Sequence, residues 1–209
     1  MKRFLRSSLV GLGMLIIGVS SYFFFDSKAP LRVSVAYPTP QTIGRFSLEN
    51  HDGTPFTQRD LVGHWSLLFA GYTSCADVCP TTLAKLAYVL EVIDHPGLRV
   101  LMLSVDPERD TLIRLRDYMH YFGHDMLGLR AKTHQDLEVM MRQVGFIAQH
   151  SQTEPGLINH SAGMVLFNPS GQMVARFQAM PMVGLEPVEH QIDAIIFDLE
   201  LLLHNKAKT

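Results

Sequence analysis

Cysteine is nearly absent from this chain, with 2 among 209 residues. Two thiols cannot build a disulfide framework, so burial of a core must supply the stability. A basic stripe is also missing. The 18 lysines and arginines stand against 20 aspartates and glutamates, and this balance excludes a nucleic-acid reading. There is no internal repeat and no low-complexity tract. No cysteine lies near residue 20, which excludes a lipid-modified cysteine at the N-terminal segment.

That segment is the first feature that is present. Lys2, Arg3 and Arg6 precede an uncharged run over residues 7–25, ending in Tyr22, Phe23, Phe24 and Phe25. A basic flank, an apolar run and an aromatic group at its far end predict a membrane anchor over residues 1–25. The positive residues stay in the cytoplasm, and the rest of the chain is exported. A cleaved signal peptide is the competing reading. Val19, Ser20 and Ser21 offer small residues, but the bulky aromatics that follow give no clean cleavage pattern. With the three basic residues set aside, the remainder is mildly acidic, which suits solubility. Residues 26–42, with Pro30, Pro38 and Pro40, show no periodicity and read as a linker. The folded domain is expected over residues 43–209.

Both cysteines fall in one stretch, GYTSCADVCPTTL over residues 71–83. It sits between an apolar run, residues 65–70, and a helical pattern, residues 80–93. A helix N-terminus lowers the pKa of a nearby thiol, and the thiolate is both nucleophile and soft metal ligand. On a helical path, residues four apart rise about 6 Å, within the span of a disulfide. Cys75 and Cys79 are therefore placed to hold a metal when reduced and to close on each other when oxidised. A purely structural bridge is the alternative. A loop so short removes little unfolded-state entropy, which weakens that reading.

The rest of the chain alternates. Residues 46–48 and 55–57 flank Asp52-Gly53, a hairpin signal. Residues 60–63 read as one helical turn. Residues 65–70 and 98–105 are continuous apolar runs, the pattern of strands buried on both faces. Asp110 is placed to cap a helix with Leu112, Leu115, Tyr118 and Met119 inward. Residues 126–131 read as a short strand. Thr133 with Asp136 resembles a capping box opening a helix with Leu137, Met140, Met141 and Val144 inward. Residues 145–161 read as a long irregular loop of functional character. Residues 164–167 and 173–177 form a second hairpin, and residues 187–204 form the last helix. The order predicts an α/β thioredoxin-like fold with an added N-terminal hairpin and loop insertions, preceded by the membrane segment.

Among ten histidines, His160 stands apart. It closes the long loop just before a strand whose entry faces the cysteine loop in a thioredoxin plan. Imidazole with thiolate suits copper or zinc. The other histidines fall in turns, at helix ends or on polar faces. Most of the eleven methionines fit core positions; Met180 and Met182, flanking Pro181, are expected in an exposed loop. Asp77 and Asp106 are placed to orient or polarise the site, with a turn role as the alternative for Asp106.

GYTSCADVCPTTL, SVDPERDT and NHSAGMVLFNPSGQMVARF together resemble the Sco/SenC family of copper-binding, thioredoxin-fold proteins over roughly residues 43–203. The resemblance implies copper bound by Cys75, Cys79 and His160. It implies a single-pass anchor in the inner membrane with the domain facing the periplasm. It also implies help in assembling the binuclear copper centre of cytochrome c oxidase, with subunit II or another copper-site protein as partner. The sequence departs from the family pattern at Ala76, where proline is usual, at Asn159, where aspartate is common, and at Leu112, where proline is frequent. A three-donor site of two thiolates and one imidazole suits soft Cu(I). Without metal, the same cysteines suit a thiol-disulfide oxidoreductase, Cys75 and Cys79 being then the redox-active pair. A thiol peroxidase is a third reading, supported by the fold alone.

Overall fold

In a computed structural model the described residues are 30–178 and 188–205, and the folding unit begins at Leu31. The expected anchor over residues 1–25, the loop with Met180 and Met182, and residues 206–209 lie outside the described residues.

The centre of the fold is made by two apolar runs. β4 (Trp65–Gly71) and β5 (Leu98–Ser104) pair in parallel, Trp65 opposite Leu98 through Gly71 opposite Ser104. Alternate residues of a strand point to opposite faces. Leu68 and Ala70 join Leu101 and Leu103 in a cluster on one face, while Leu67 and Phe69 join Val100 and Met102 on the other. Both faces are covered, which is why these strands read as unbroken apolar runs.

Four helices supply the cover: α1 (Val78–Ile93), α2 (Leu112–Phe122), α3 (His134–Val144) and α4 (Val188–Asn205). Leu137, Met140, Met141 and Val144 of α3 close the first face. Leu83, Leu86 and Val89 of α1, Leu115 and Met119 of α2, and Ile195, Leu199, Leu202 and Leu203 of α4 close the second. Thr133 caps α3 as the capping-box pattern predicts, accepting the Asp136 N–H at 3.1 Å.

The sheet is mixed. With β1 (Ser34–Thr42), β2 (Leu48–Asn50), β3 (Pro55–Phe56), β6 (Met126–Arg130), β9 (Met164–Phe167) and β10 (Gln172–Phe177), its order is β1-β10-β9-β4-β5-β6-β2-β3. Both expected hairpins are present, β2 with β3 and β9 with β10. The architecture is the thioredoxin-like α/β plan with added strands at both edges.

Three expectations are corrected. Residues 26–42 are not a linker throughout, because β1 runs through Ser34–Thr42 and pairs antiparallel with β10. As an edge strand it tolerates Pro38 and Pro40, where its register with β10 shifts between Ala36 and Gln41. Its start is held by Asp198 of α4, whose buried carboxylate accepts the N–H groups of Arg32, Val33 and Ser34 and the Ser34 hydroxyl at 2.8–2.9 Å. That partner lies 164 residues away from Ser34, so no local pattern signals it. The segment at residues 60–63 forms turns, and Val62 bridges Ser170. Residues 145–161 are not irregular throughout: β7 (Ala148–His150) and β8 (Ile158–His160) form a separate two-stranded sheet around an irregular tip.

Candidate functional site

The cysteine loop leaves the C-terminal end of β4, where open parallel sheets place their ligand sites. Gly71 and Tyr72 are still buried, and α1 begins at Val78. Cys79 therefore lies in the first helical turn, the helix starting two residues earlier than the apolar pattern places it. Its backbone N–H, one of the groups an N-terminal turn leaves without a helical partner, donates to the Cys75 sulfur at 3.3 Å. Asp77 occupies the cap position without a side-chain capping bond; Cys75 takes that amide instead. Both thiols are free. Cys75 is half-buried, and Cys79 is buried within the core cluster that contains Tyr72 and Ile158.

Burial pushes the Cys79 thiol far up, with the hydrogen bond to Cys75 adding to the shift. The expectation that the helix terminus favours a thiolate is overturned at this residue. Loss of solvation outweighs the partial charge of one helix end.

His160 closes β8. Its Nε2 stands 3.9 Å from the Cys79 sulfur. Its Nδ1 lies 3.0 Å from the Ser161 carbonyl oxygen, which only accepts, so the proton sits on Nδ1. Nε2 then carries the lone pair and faces the thiol, the tautomer a metal ligand needs. The Tyr72 ring meets the imidazole edge to face, with centroids 5.9 Å apart and planes at 87°. The Tyr72 hydroxyl accepts the Ile158 N–H at 3.4 Å. The β7–β8 hairpin thus rests on the residue that opens the cysteine loop. The structure brings Cys79 against both Cys75 and His160, from two places in the sequence, the cysteine loop and the end of β8.

Other candidates separate. Asp77 is exposed. Asp106 is buried, and its carboxylate accepts from the Arg109 guanidinium, which also donates to the Gly156 carbonyl at 2.7 Å. Asp106 therefore holds the arginine that fastens the tip of the β7–β8 hairpin. Met140, Met141, Met164 and Met173 are core residues, as expected. Asp110 does not cap α2; Thr111 does, accepting the Arg114 N–H at 3.3 Å. Asp110 is instead buried beneath the cysteine loop, with Thr73 and Ser104 as partners. Sequence reasoning missed this trio. Its one available signal was that two adjacent residues, Asp110 and Thr111, both have capping chemistry.

A second cluster, His51, Asp52 and His120, has donor atoms near one another. The His51 Nδ1 accepts the Gly128 N–H at 3.1 Å. The neutral ring therefore carries its proton on Nε2, 3.7 Å from Asp52, which leaves no lone pair there for a metal.

A thioredoxin-like sheet presenting two free thiols at a strand–helix junction, with a correctly tautomerised imidazole beside them, defines a class of thiol protein able to hold a soft metal. The chain belongs to the SCO1/SenC family, whose model matches residues 35–193. It is similar to Protein SCO2, mitochondrial, of Saccharomyces cerevisiae, with 28% identity over 88% of this chain and 66% of that protein. It is similar also to the SCO1 homolog, mitochondrial, of Homo sapiens, with 33% identity over 64% of this chain and 46% of that protein. The chain spans about half to two thirds of the length of these curated relatives. Among solved structures, Arabidopsis thaliana ScoI with copper bound superposes with a TM-score of 0.64 at 28% identity, covering 75% of this chain and 97% of that one.

Proposed function

We propose that this chain is a membrane-anchored copper chaperone. Cys75, Cys79 and His160 hold the ion as cargo, and the recipient is the binuclear copper centre of cytochrome c oxidase, on subunit II or another copper-site protein. The observation that carries this reading is the His160 ring. Its Nδ1 proton is committed to Ser161, and its free Nε2 faces the Cys79 sulfur at 3.9 Å. Two soft sulfurs and one imidazole are the donor set that copper prefers. Three donors from two segments also leave room for ligand exchange with a recipient. Residues 1–25 anchor the chain in the inner membrane, with the domain on the periplasmic side.

One observation favours a second reading, thiol-disulfide exchange with a recipient's cysteines. Cys75 is accessible at the helix start while Cys79 is buried behind it, the layout of an attacking and a resolving thiol. His160→Ala separates the two. It removes one copper donor and leaves both sulfurs. Copper affinity, measured against a competing chelator, should fall at least tenfold, the fall being larger for Cu(II) than for Cu(I) because imidazole suits Cu(II) well. Disulfide reduction should persist, and Cys75→Ser should abolish both. Normal oxidase assembly in cells by a His160→Ala protein that has lost copper would refute the chaperone reading and favour the reductase.

A further inference from the structure

Beneath the cysteine loop lies a carboxylate that no cation meets among the described residues. Asp110 is fully buried. Its Oδ1 accepts the Thr73 hydroxyl at 2.6 Å, and its Oδ2 accepts the Ser104 hydroxyl at 2.6 Å. The Thr73 N–H stands 3.2 Å from both oxygens. Thr73 precedes Cys75 by two residues, and Ser104 ends β5. One side chain therefore ties the start of the cysteine loop to the end of the neighbouring strand.

The nearby cations are committed elsewhere. Arg109 serves Asp106 and Gly156, and Arg114 donates to Ser74 at 3.2 Å. Among the described residues Asp110 has no ion-pair partner. A buried charge is costly unless it is hydrogen-bonded or paired. The donors of Thr73 and Ser104 offset part of that cost and leave the charge itself unneutralised. The charge is bonded to Thr73, two residues before Cys75, and so sits at the foot of the loop that carries both sulfurs. A fixed anion attracts a divalent ion twice as strongly as a monovalent ion in the same place, and at a buried site salt screens this little.

We infer that Asp110 is a positioning residue for the copper site, holding the cysteine loop to β5 and favouring Cu(II) over Cu(I) through its charge. The inference rests on the copper reading above. Two substitutions in the full chain divide its parts. Asp110→Asn keeps the shape and an acceptor for Thr73 but removes the charge. Thr73→Val keeps the charge but removes one tie to the loop. For Asp110→Asn the ratio of Cu(II) to Cu(I) affinity should fall about tenfold, equivalent to a 59 mV rise in the one-electron copper potential. For Thr73→Val the ratio should hold while both affinities fall together. In the copper-free protein, amide exchange over residues 72–79 should quicken for Thr73→Val and stay near wild type for Asp110→Asn.

An unchanged affinity ratio in Asp110→Asn overturns the inference, as does an equal shift of the ratio in Thr73→Val. If Asp110→Asn does not fold, Thr73→Val decides: unchanged loop exchange with unchanged copper affinities overturns the inference. A wild-type protein that binds neither ion overturns the copper reading itself, whereas copper binding with an unmoved ratio overturns only the role of Asp110.

Discussion

At the scale of single residues, solvation decides more than helix position does. Cys79 sits in the first turn of α1, yet burial raises its thiol pKa well above the ordinary 9.0. The folded copper-free protein therefore holds this proton more tightly than the unfolded chain does. The resulting stability is fully present below the ordinary thiol value and is lost as pH rises above it, because the unfolded chain ionises first. The melting temperature of the wild type should fall more steeply between about pH 9 and pH 11 than that of Cys79→Ser. Parallel slopes in thermal melts followed by circular dichroism would contradict this. Cys75, Cys79 and His160 were legible as residues of chemical interest because of where they stand between periodic segments. The tautomer of His160 was not, since it depends on the Ser161 carbonyl oxygen in a folded turn. Asp110 was misread for a related reason. Either it or Thr111 can cap α2, and only the packed loop shows that the carboxylate belongs to Thr73 and Ser104.

At the scale of elements, close packing between α2 and β6 sets a limit on substitution. A Cβ on Gly128 would fall within the space of the Leu115 side chain, closer than atoms approach. Alanine in a strand interior gains roughly 0.5–1 kcal/mol over glycine in backbone entropy. Overpacking a filled core costs about 1–3 kcal/mol, so overpacking wins. Gly128→Ala should lose about 1–2 kcal/mol in urea unfolding with an unchanged m-value. A variant as stable as wild type would mean that Leu115 has another rotamer open to it. The central elements were legible because their patterns are local: the runs that became β4 and β5, and the spacing that became α1 and α3. β1 was not, because eight of its nine residues are not buried and its order comes from β10 and Asp198. Nor was the β7–β8 sheet, which has three residues a strand and rests on Tyr72 and Arg109 from distant segments.

At the scale of the whole molecule, no helix among the described residues is long and apolar enough to cross a membrane, and the anchor proposed above is residues 1–25. The full-length protein should stay with the membrane pellet under carbonate extraction, and its release into the supernatant would remove the anchor from the proposal. The family match over residues 35–193 takes in the central strands, the cysteine loop and His160 alike. By itself the sequence determined the alternation of elements, the two central buried strands, the cysteine pair at a strand–helix junction and the histidine before β9. Each of these is written in neighbours a few residues apart, through periodicity, caps and turns. Only the tertiary structure decided that Nε2 of His160 faces Cys79, that Asp110 lies buried under the loop, that burial pushes the Cys79 thiol pKa up and that β1 is part of the sheet. Those facts depend on contacts between segments far apart in sequence, and on the loss of water around them, which no local pattern records.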